Sequence, residues 1–417
     1  MLLSPAARAV IADSGGMHQL TVEVIDDAEG LRQSRAAWQS IDATATAATP
    51  FSSWEWLYSW WQCYAQPGDS PLLLLCHDGA RPVALAPLQI QRRGPLGLAR
   101  ELRFLGSGEA EHEEVLSEYL DLLCVPGEEA RSLQAIGDTL RRLRGRWHCA
   151  LFNDLLPQAL LPQLLERGMP AASTQRWQRG ARYRVDLPPN YDTWLDGLSR
   201  AMRYRIRRGQ RRLQAAGELS CERATTAQQI SAQLPVLADL HRQRWGSGGL
   251  FDQPRFARFH PLVCQRMFES GASRPQLELM RLDGAPLTAL YSFRRGATLH
   301  YYQSGFCSEQ ARCSPLVLAH AAAIRGAISD GLRHYDLMRG GLDSYKASYA
   351  AAQTPMHYLA RYPQPALLQR HLPEPLRDSL GGLQHRLARR LLRHRPGAEA
   401  EQRDVRLAPP ADGGVGA

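Results

Sequence analysis

PQLELMRLDGAPLTALYSFRRGATLHYYQSGF, residues 275–306, carries two turn signals between apolar, strand-favouring runs. Asp283-Gly284 is the first and Arg295-Gly296 the second, so the segment reads as three consecutive antiparallel strands. PLLLLCHDGARPVALAPLQIQRR at 71–93 repeats the first hairpin around Asp78-Gly79. The segment after each hairpin also repeats. YLDLLC (119–124) reads as a strand, PGEEARSLQAIGDTLRRLRG as a helix and RWHCALFNDL as a strand; in the second copy LHYYQSGF, SPLVLAHAAAIRGAISDG and LRHYDLMRG take those places. A strand, helix, strand unit of this length makes a right-handed crossover between parallel strands. The expected fold class is α/β (α+β) with mixed sheets, in two domains related by duplication.

The length agrees, because 417 residues exceed what one core usually supports. Residues 1–18 are expected to be disordered, 19–175 to form the first domain, 176–363 the second, and 364–417 a basic helical segment that ends in a Pro, Gly and Ala-rich disordered tail. Each domain opens with helices. In TPFSSWEWLYSWWQCYA (49–65), Ser52 and Glu55 have capping-box spacing ahead of Trp54, Trp56, Leu57, Trp60, Trp61 and Tyr64. Aromatics at helical spacing read as core that can also line a pocket.

The formal charge of +9 is concentrated in two segments. Arg200, Arg203, Arg205, Arg207, Arg208, Arg211 and Arg212 fall within LSRAMRYRIRRGQRRLQAAG (198–217), and a second arginine run spans 370–395. Leu198, Met202, Ile206 and Leu213 form a narrow apolar stripe, so the first segment is an amphipathic helix docked on a domain. Its arginines either hold phosphate, on a small substrate, carrier or cofactor, or stand solvated with their stems along apolar surface. Only Tyr204 lies among them, and no zinc-finger, RNA-binding or P-loop motif accompanies them, which argues against generic nucleic-acid binding.

The eight cysteines form no CxxC pair and no short-range framework, the pattern of reduced thiols in a cytoplasmic protein. The N-terminus reads as no signal peptide, and no apolar run reaches a membrane span. Peripheral membrane association through the basic C-terminal segment stays open. No metal-ligand pattern is expected.

Two stretches carry candidate chemistry. Ser314-Pro315 opens a helix straight after a strand, which leaves backbone N–H groups able to hold an anion. Further on, YDLMRGGLDSYKASYA ends a strand with Asp336, Arg339 and paired glycines, then presents Asp343, Tyr345 and Lys346, the single lysine of the chain. Polar residues at the C-terminal end of a parallel strand are where α/β folds build sites.

LADLHRQRWGSGGLFDQPRF, the hairpin ending in SGF, the SPLVL helix start and HYDLMRGGLDSYKASY together resemble, in order and spacing, the CelD/BcsL-type acetyltransferases of the GNAT superfamily, relatives of the Fem-type peptidyltransferases. The resemblance covers about residues 49–362 and is sharpest in the second half. It implies tandem duplicated GNAT-like acyl-CoA N-acyltransferase domains, with acetyl-CoA and an amine or hydroxyl acceptor meeting in a ternary complex. The thioester would lie where two central strands splay, with the pyrophosphate on Ala311, Arg312, Cys313, Ser314 and Pro315; the family often has glycine next, where this chain has Leu316. His241, Arg244 and Trp245 match family helix residues, and Asp336, Gly340, Tyr345 and Lys346 its terminal signature. An acceptor must lose a proton and the leaving thiolate or oxyanion must be stabilised. Asp336 or His241 is expected as base and Tyr345 or Lys346 as donor, with Arg203, Arg207, Arg244, Trp245 and Tyr302 facing the acceptor.

The process implied is exopolysaccharide or cell-envelope biosynthesis, with a small-molecule or glycan-precursor acceptor that can bear phosphate. Two alternatives stand beside it. One is Fem-like aminoacyl transfer from charged tRNA; the other is a catalytically degenerate GNAT pair that acts as a binding or scaffold subunit.

Overall fold

The computed structural model describes residues 10–11, 20–93, 99–170, 172–246 and 249–363. The expected C-terminal helices and tail, and nearly all of the expected N-terminal tail, lie outside them. In chain order the first half runs β1 (Val10–Ile11), β2 (Thr21–Ile25), α1 (Ala28–Gln33), α2 (Arg35–Asp42), α3 (Trp54–Tyr64), β3 (Ser70–Asp78), β4 (Arg81–Arg93), β5 (Ala99–Phe104), β6 (Leu123–Cys124), α4 (Glu129–Arg142), β7 (Cys149–Leu155), α5 (Leu161–Gly168) and β8 (Ala172–Asp186). The second continues with α6 (Tyr191–Gly197), α7 (Arg200–Ala216), β9 (Leu219–Ala224), α8 (Ala227–Trp245), α9 (Pro254–Ser270), β10 (Arg274–Leu282), β11 (Ala285–Arg295), β12 (Thr298–Phe306), α10 (Pro315–Ser329), β13 (His334–Gly340) and β14 (Ala352–Pro363).

Both hairpins form, but in the first the turn is shifted by one residue: Asp78 pairs with Arg81, and Gly79 and Ala80 are the loop, with Gly79 at φ 60°. Leu282 pairs with Ala285 across Asp283 and Gly284, both at positive φ (49° and 79°), which is the primed turn that matches strand twist. The β12, α10, β13 crossover is parallel as expected. In the first half the parallel partner of β7 is β5, and of the expected strand 119–124 only Leu123–Cys124 pairs, antiparallel to β4. Residues 105–122 form instead a long connection with positive φ at Leu116 and Tyr119.

All described strands except β6 lie along one mixed sheet in the order β1-β2-β3-β4-β5-β7-β14-β8-β13-β12-β11-β10-β9. The halves are joined by exchange of their last strands. β8 leaves the first half to pair with β13, and β14 returns from the second to pair with β7, while β8 and β14 pair antiparallel over twelve registered positions from Ala352↔Arg184 to Pro363↔Ala172. The boundary expected at 175/176 therefore falls inside β8.

The internal symmetry is exact enough to align the halves. On β7, Asn153 and Asp154 bulge opposite Tyr358; on β13, Leu337 and Met338 bulge opposite Tyr183, with Asp154 at φ 57° and Met338 at φ 63°. Phe152 thus occupies the place of Asp336, and the parallel register puts Phe104 in the place of His300.

The helix at 54–64 is aromatic core, as its spacing predicts, but its cap differs. Ser53, not Ser52, accepts from Trp56 N, while Ser52 forms a capping box with Thr49 one turn earlier and Glu55 accepts from Gln39 Nε2 at 2.6 Å. Proline at 50 starts a separate 3-10 turn there, which shifts the cap by one residue. Trp56 is fully buried, with Phe51, Phe259, Phe293 and Tyr302 around it at centroid distances of 4.9, 4.9, 5.5 and 5.5 Å. This cluster is where the first half packs on the α8 and α9 face of the second. α6, α7 and α10 cover the opposite face through Trp194, Met202, Ile206, Leu213, Leu318 and Ile324.

Candidate functional site

β12 and β13 stay registered for three pairs, Thr298↔His334, Leu299↔Tyr335 and His300↔Asp336, and then separate although both strands continue. Just past the last pair Tyr302 is the unpaired residue of a bulge against β11. β13 bulges at the same level on its other edge. Two bulged strands diverging from a common point open a wedge in the middle of the sheet, and bulges of this kind redirect side chains beside sites.

Asp336 closes the apex and is fully buried. Its Oδ2 accepts from Arg182 Nε at 2.8 Å and Nη2 at 2.6 Å, His300 Nδ1 lies 3.5 Å away, and Oδ1 accepts from Met338 N at 2.9 Å and Tyr119 Oη at 3.3 Å. Burial alone would raise this carboxyl, but contact with His300 and the Arg182 guanidinium outweigh it and hold the group well below the usual carboxylate range. A carboxylate so stabilised is a weak proton acceptor and a strong anchor. Burial, the largest influence on His300, pulls its imidazole below its ordinary value even beside Asp336. In the first half Phe104 and Phe152 meet edge to face at 4.8 Å in the equivalent positions, so only the second half carries this polar apex.

The turn at 308–313 and the start of α10 lie at the far end of β12. Ser314 is left-handed (φ 53°, ψ 52°) and makes no side-chain cap on α10; its Oγ accepts instead from Arg205 Nε at 2.9 Å. Arg212 Nη1 donates to the Arg312 carbonyl at 3.2 Å. α7 approaches so closely that a Cβ on Gly209 would lie 2.6 Å from the Cys313 carbonyl oxygen. Uncapped N–H groups at the helix start, flanked by two guanidinium groups, fit a pyrophosphate. Ala311 and Arg312 are exposed there and Cys313 half-buried, while Leu316 is turned inward at 9% exposure.

The arginines that reach this turn are Arg205 and Arg212. Arg203 donates to the Asp196 carbonyl at 2.7 Å, closing α6 onto α7, and Arg207 points to solvent. Tyr302 Oη donates to the Val115 carbonyl at 2.8 Å within the aromatic cluster, and burial raises its phenol far above the ordinary value. His241 is buried on α8, with its ring 4.8 Å from Phe251 and its backbone against Gly305 of β12. Arg244 and Trp245 end α8, and their side chains lie outside the described residues. Tyr345 and Lys346 stand in a 3-10 turn, Tyr345–Tyr349. Tyr345 is half-buried beside Tyr349, and Lys346 Nζ donates to the Arg339 carbonyl with its charge 5.9 Å from the Tyr301 ring. The structure therefore gathers Asp336 and Lys346 around β13 and sets Ser314 with its neighbours at the α10 start.

Residues that sequence spacing did not single out complete the wedge. Glu118 and Tyr119 come from the first half's connection, Asp154 from β7 and Arg182 from β8. Glu118 Oε2 accepts from Arg339 N at 2.8 Å, and Asp154 Oδ1 from Arg339 Nη1 at 3.3 Å. The Arg182 guanidinium stacks 4.7 Å over Tyr119. The one local signal was the acidic run EAEHEEVLSEY (109–119), which has no helical or strand period.

Glu109 of that run has a measurable signature. Half-buried, with one carboxyl oxygen sealed from water, it is raised to about 7 by burial, although it accepts from Val115 N at 2.9 Å. A carboxyl raised in the folded state stabilises the fold below its unfolded pKa, and that contribution disappears as pH rises through the folded value. Glu109→Gln is expected to raise stability at pH 8 by about 1–3 kcal/mol and to change it little at pH 4.5. Urea midpoints of both proteins at the two pH values check this.

Among the described residues no group of three His, Cys, Asp or Glu side chains could hold a metal ion, and no helix is long and apolar enough to cross a membrane.

Comparison with known proteins adds a family match for part of the chain. The structure is similar to FemX, with a TM-score of 0.57 at 11% identity over 81% of this chain and 97% of that one. Weaker likenesses include the C-terminal domain of a putative lysylphosphatidylglycerol synthetase from Agrobacterium fabrum (TM-score 0.49, 13% identity, 79% of this chain and 92% of that). Another is a tandem GNAT protein from the clavulanic acid biosynthesis pathway (TM-score 0.43, 13% identity, 82% and 98%). At such identities the likeness is one of fold. A search of curated proteins found no match. Residues 200–347, from the start of α7 to the residue after Lys346, match the acetyltransferase (GNAT) domain family, so the second half carries a GNAT acetyltransferase domain.

Proposed function

We propose that the protein transfers an acyl group, acetyl in the simplest case, from acyl-CoA to an amine or hydroxyl acceptor. The wedge between β12 and β13, continuous with the uncapped start of α10, carries this reading. The α7 and α10 side supports the cofactor, with pyrophosphate on residues 311–316 and on Arg205 and Arg212. The α8, α9 and first-half side is left for the acceptor. Asp336 anchors the apex, and Lys346, held on the Arg339 carbonyl, is the candidate donor to the leaving thiolate or the oxyanion. The resemblance to CelD/BcsL-type enzymes supports a glycan-precursor acceptor in exopolysaccharide or envelope biosynthesis at the cytoplasmic side.

Isothermal titration with acetyl-CoA and with CoA tests the reading. Saturable binding is expected, weakened about tenfold by Arg205→Ala or Arg212→Ala because each removes a charged contact to phosphate, and weakened further by salt. No binding at millimolar ligand sinks it.

One observation favours a second reading, aminoacyl transfer from charged tRNA. Arg200, Arg207 and Arg211 are exposed on α7, where they could track a phosphate backbone. Steeply salt-dependent tRNA binding, lost on changing these three to alanine, would select it.

A further inference from the structure

The connection between β5 and α4 in the first half is the counterpart of the 308–314 turn between β12 and α10 in the second. It is anchored on its own half through Ser107 and Ser117 and reaches beyond it. Residues 115–119 run across the open end of the second half's wedge and are tied to both of its strands. Tyr302 of β12 donates to the Val115 carbonyl at 2.8 Å, Arg339 N of β13 donates to Glu118 at 2.8 Å, and Tyr119 Oη donates to Asp336 of β13 at 3.3 Å. Trp56 Nε1 fixes the middle of the segment by donating to Ser117 Oγ at 2.8 Å.

Holding this course requires left-handed backbone at Leu116 (φ 52°) and Tyr119 (φ 63°), and the strands it meets have Asp154 and Met338 in the same region. Four non-glycine residues at positive φ thus surround one spot. Strain gathered in this way persists only where the surroundings enforce it, and it concentrates at sites.

We propose that Glu118, a residue of the first half, is the proton acceptor for the acyl transfer carried out in the second half. The inference rests on the acyltransferase reading. The first half has then lost an acyl-CoA site of its own, since its counterpart turn and its Phe104 and Phe152 apex are committed elsewhere, and it supplies the acceptor-side wall. In the step, Glu118 takes a proton from the acceptor's ammonium or hydroxyl. The freed lone pair forms the new C–N or C–O bond at the thioester carbonyl, the C–S bond breaks, and the thiolate leaves with the electron pair. An amine then sheds its second proton to that thiolate.

The charged and titratable groups that face Glu118 come from every element around it. Arg339 is on β13, with Nε 3.9 Å from Oε1; Asp154 is on β7, Lys346 in the 3-10 turn, and Tyr119 and Tyr302 stand alongside. Burial raises the Glu118 carboxyl, and the nearby Asp154 adds to this against the pull of Arg339 and Lys346. Asp336 is held in the opposite direction. Between Glu118 and Asp336, Glu118 has the basicity to accept a proton at neutral pH.

The test compares wild type, Glu118→Gln, Glu118→Asp and Glu109→Gln. Acetyl-CoA affinity is measured by titration. Thiol release from acetyl-CoA is measured with ethanolamine, with glucosamine and with water alone as acceptors, from pH 5 to 9, each corrected for the buffer rate. The expected result for Glu118→Gln is a kcat about 100-fold lower or more, acetyl-CoA affinity within about twofold of wild type, and loss of the limb along which the wild-type rate rises with pH above the ordinary glutamate range. Glu118→Asp restores part of the rate together with the limb, and Glu109→Gln keeps both. An unchanged kcat or a persisting limb in Glu118→Gln overturns the assignment. So does a wild type that binds acetyl-CoA yet releases no thiol above buffer with any of the three acceptors. Failure of the wild type to bind acetyl-CoA sinks the acyltransferase reading itself, which is a different outcome.

Discussion

Asp336→Ala is expected to lower the stability of the fold by about 3–5 kcal/mol, because it leaves the Arg182 guanidinium charged, largely buried and without its carboxylate. Arg182 keeps only 17% of its side-chain surface, and Asp336 none. The change also takes an acceptor from Tyr119 Oη and Met338 N, so three elements lose a shared anchor: β8, β13 and the first-half connection. The urea midpoint of the purified variant measures the loss. Arg182→Met combined with Asp336→Leu should recover most of it, since paired apolar groups can replace a buried ion pair at little cost. A single variant within about 1 kcal/mol of wild type would show that the apex relaxes or admits water. Because the carboxyl is already held far below its usual range, the stabilisation should persist into acid and be lost only as pH falls toward its folded value.

Trp56→Ala should cost a similar amount, about 3–5 kcal/mol, by leaving a large cavity in a close-packed aromatic cluster. The ring is fully buried and touches partners in both halves: Phe51 on its own side, then Phe259, Phe293 and Tyr302 on the other. It also donates to Ser117, which holds the 115–119 segment in place. Stability and the contribution of the connection to the site should therefore fall together. Trp56→Phe separates the two effects: it keeps most of the packing, removes the indole N–H, and should cost about 1–2 kcal/mol for the unpaired Ser117 hydroxyl and the smaller ring. Denaturant midpoints order the three proteins. An alanine variant as stable as the phenylalanine one would mean that the halves are not coupled through this cluster.

The hairpins, the α10 crossover and the docked arginine helix were legible because each rests on local chemistry. Glycine in a two-residue turn takes φ above zero, apolar residues at a period of 3.6 make a stripe, and proline suits the first turn of a helix. Leu198, Met202, Ile206 and Leu213 are buried as their spacing requires. The cap at Ser53 was misplaced because two adjacent serines offer the same hydroxyl, and the proline turn before them selects between the two.

What sequence could not show is who meets whom. Strand exchange between β8 and β14 depends on the pairing of residues about 180 positions apart, for which neither strand carries a local mark. Glu118, Asp154 and Arg182 look like ordinary surface charges along the chain; they become a site only when that exchange brings the halves together, buries them and sets their charges against Arg339, Lys346 and Asp336. The elements follow from short-range torsional and hydrophobic preferences, which the order of residues encodes directly. The site follows from long-range packing and desolvation, which exist only once the chain has folded.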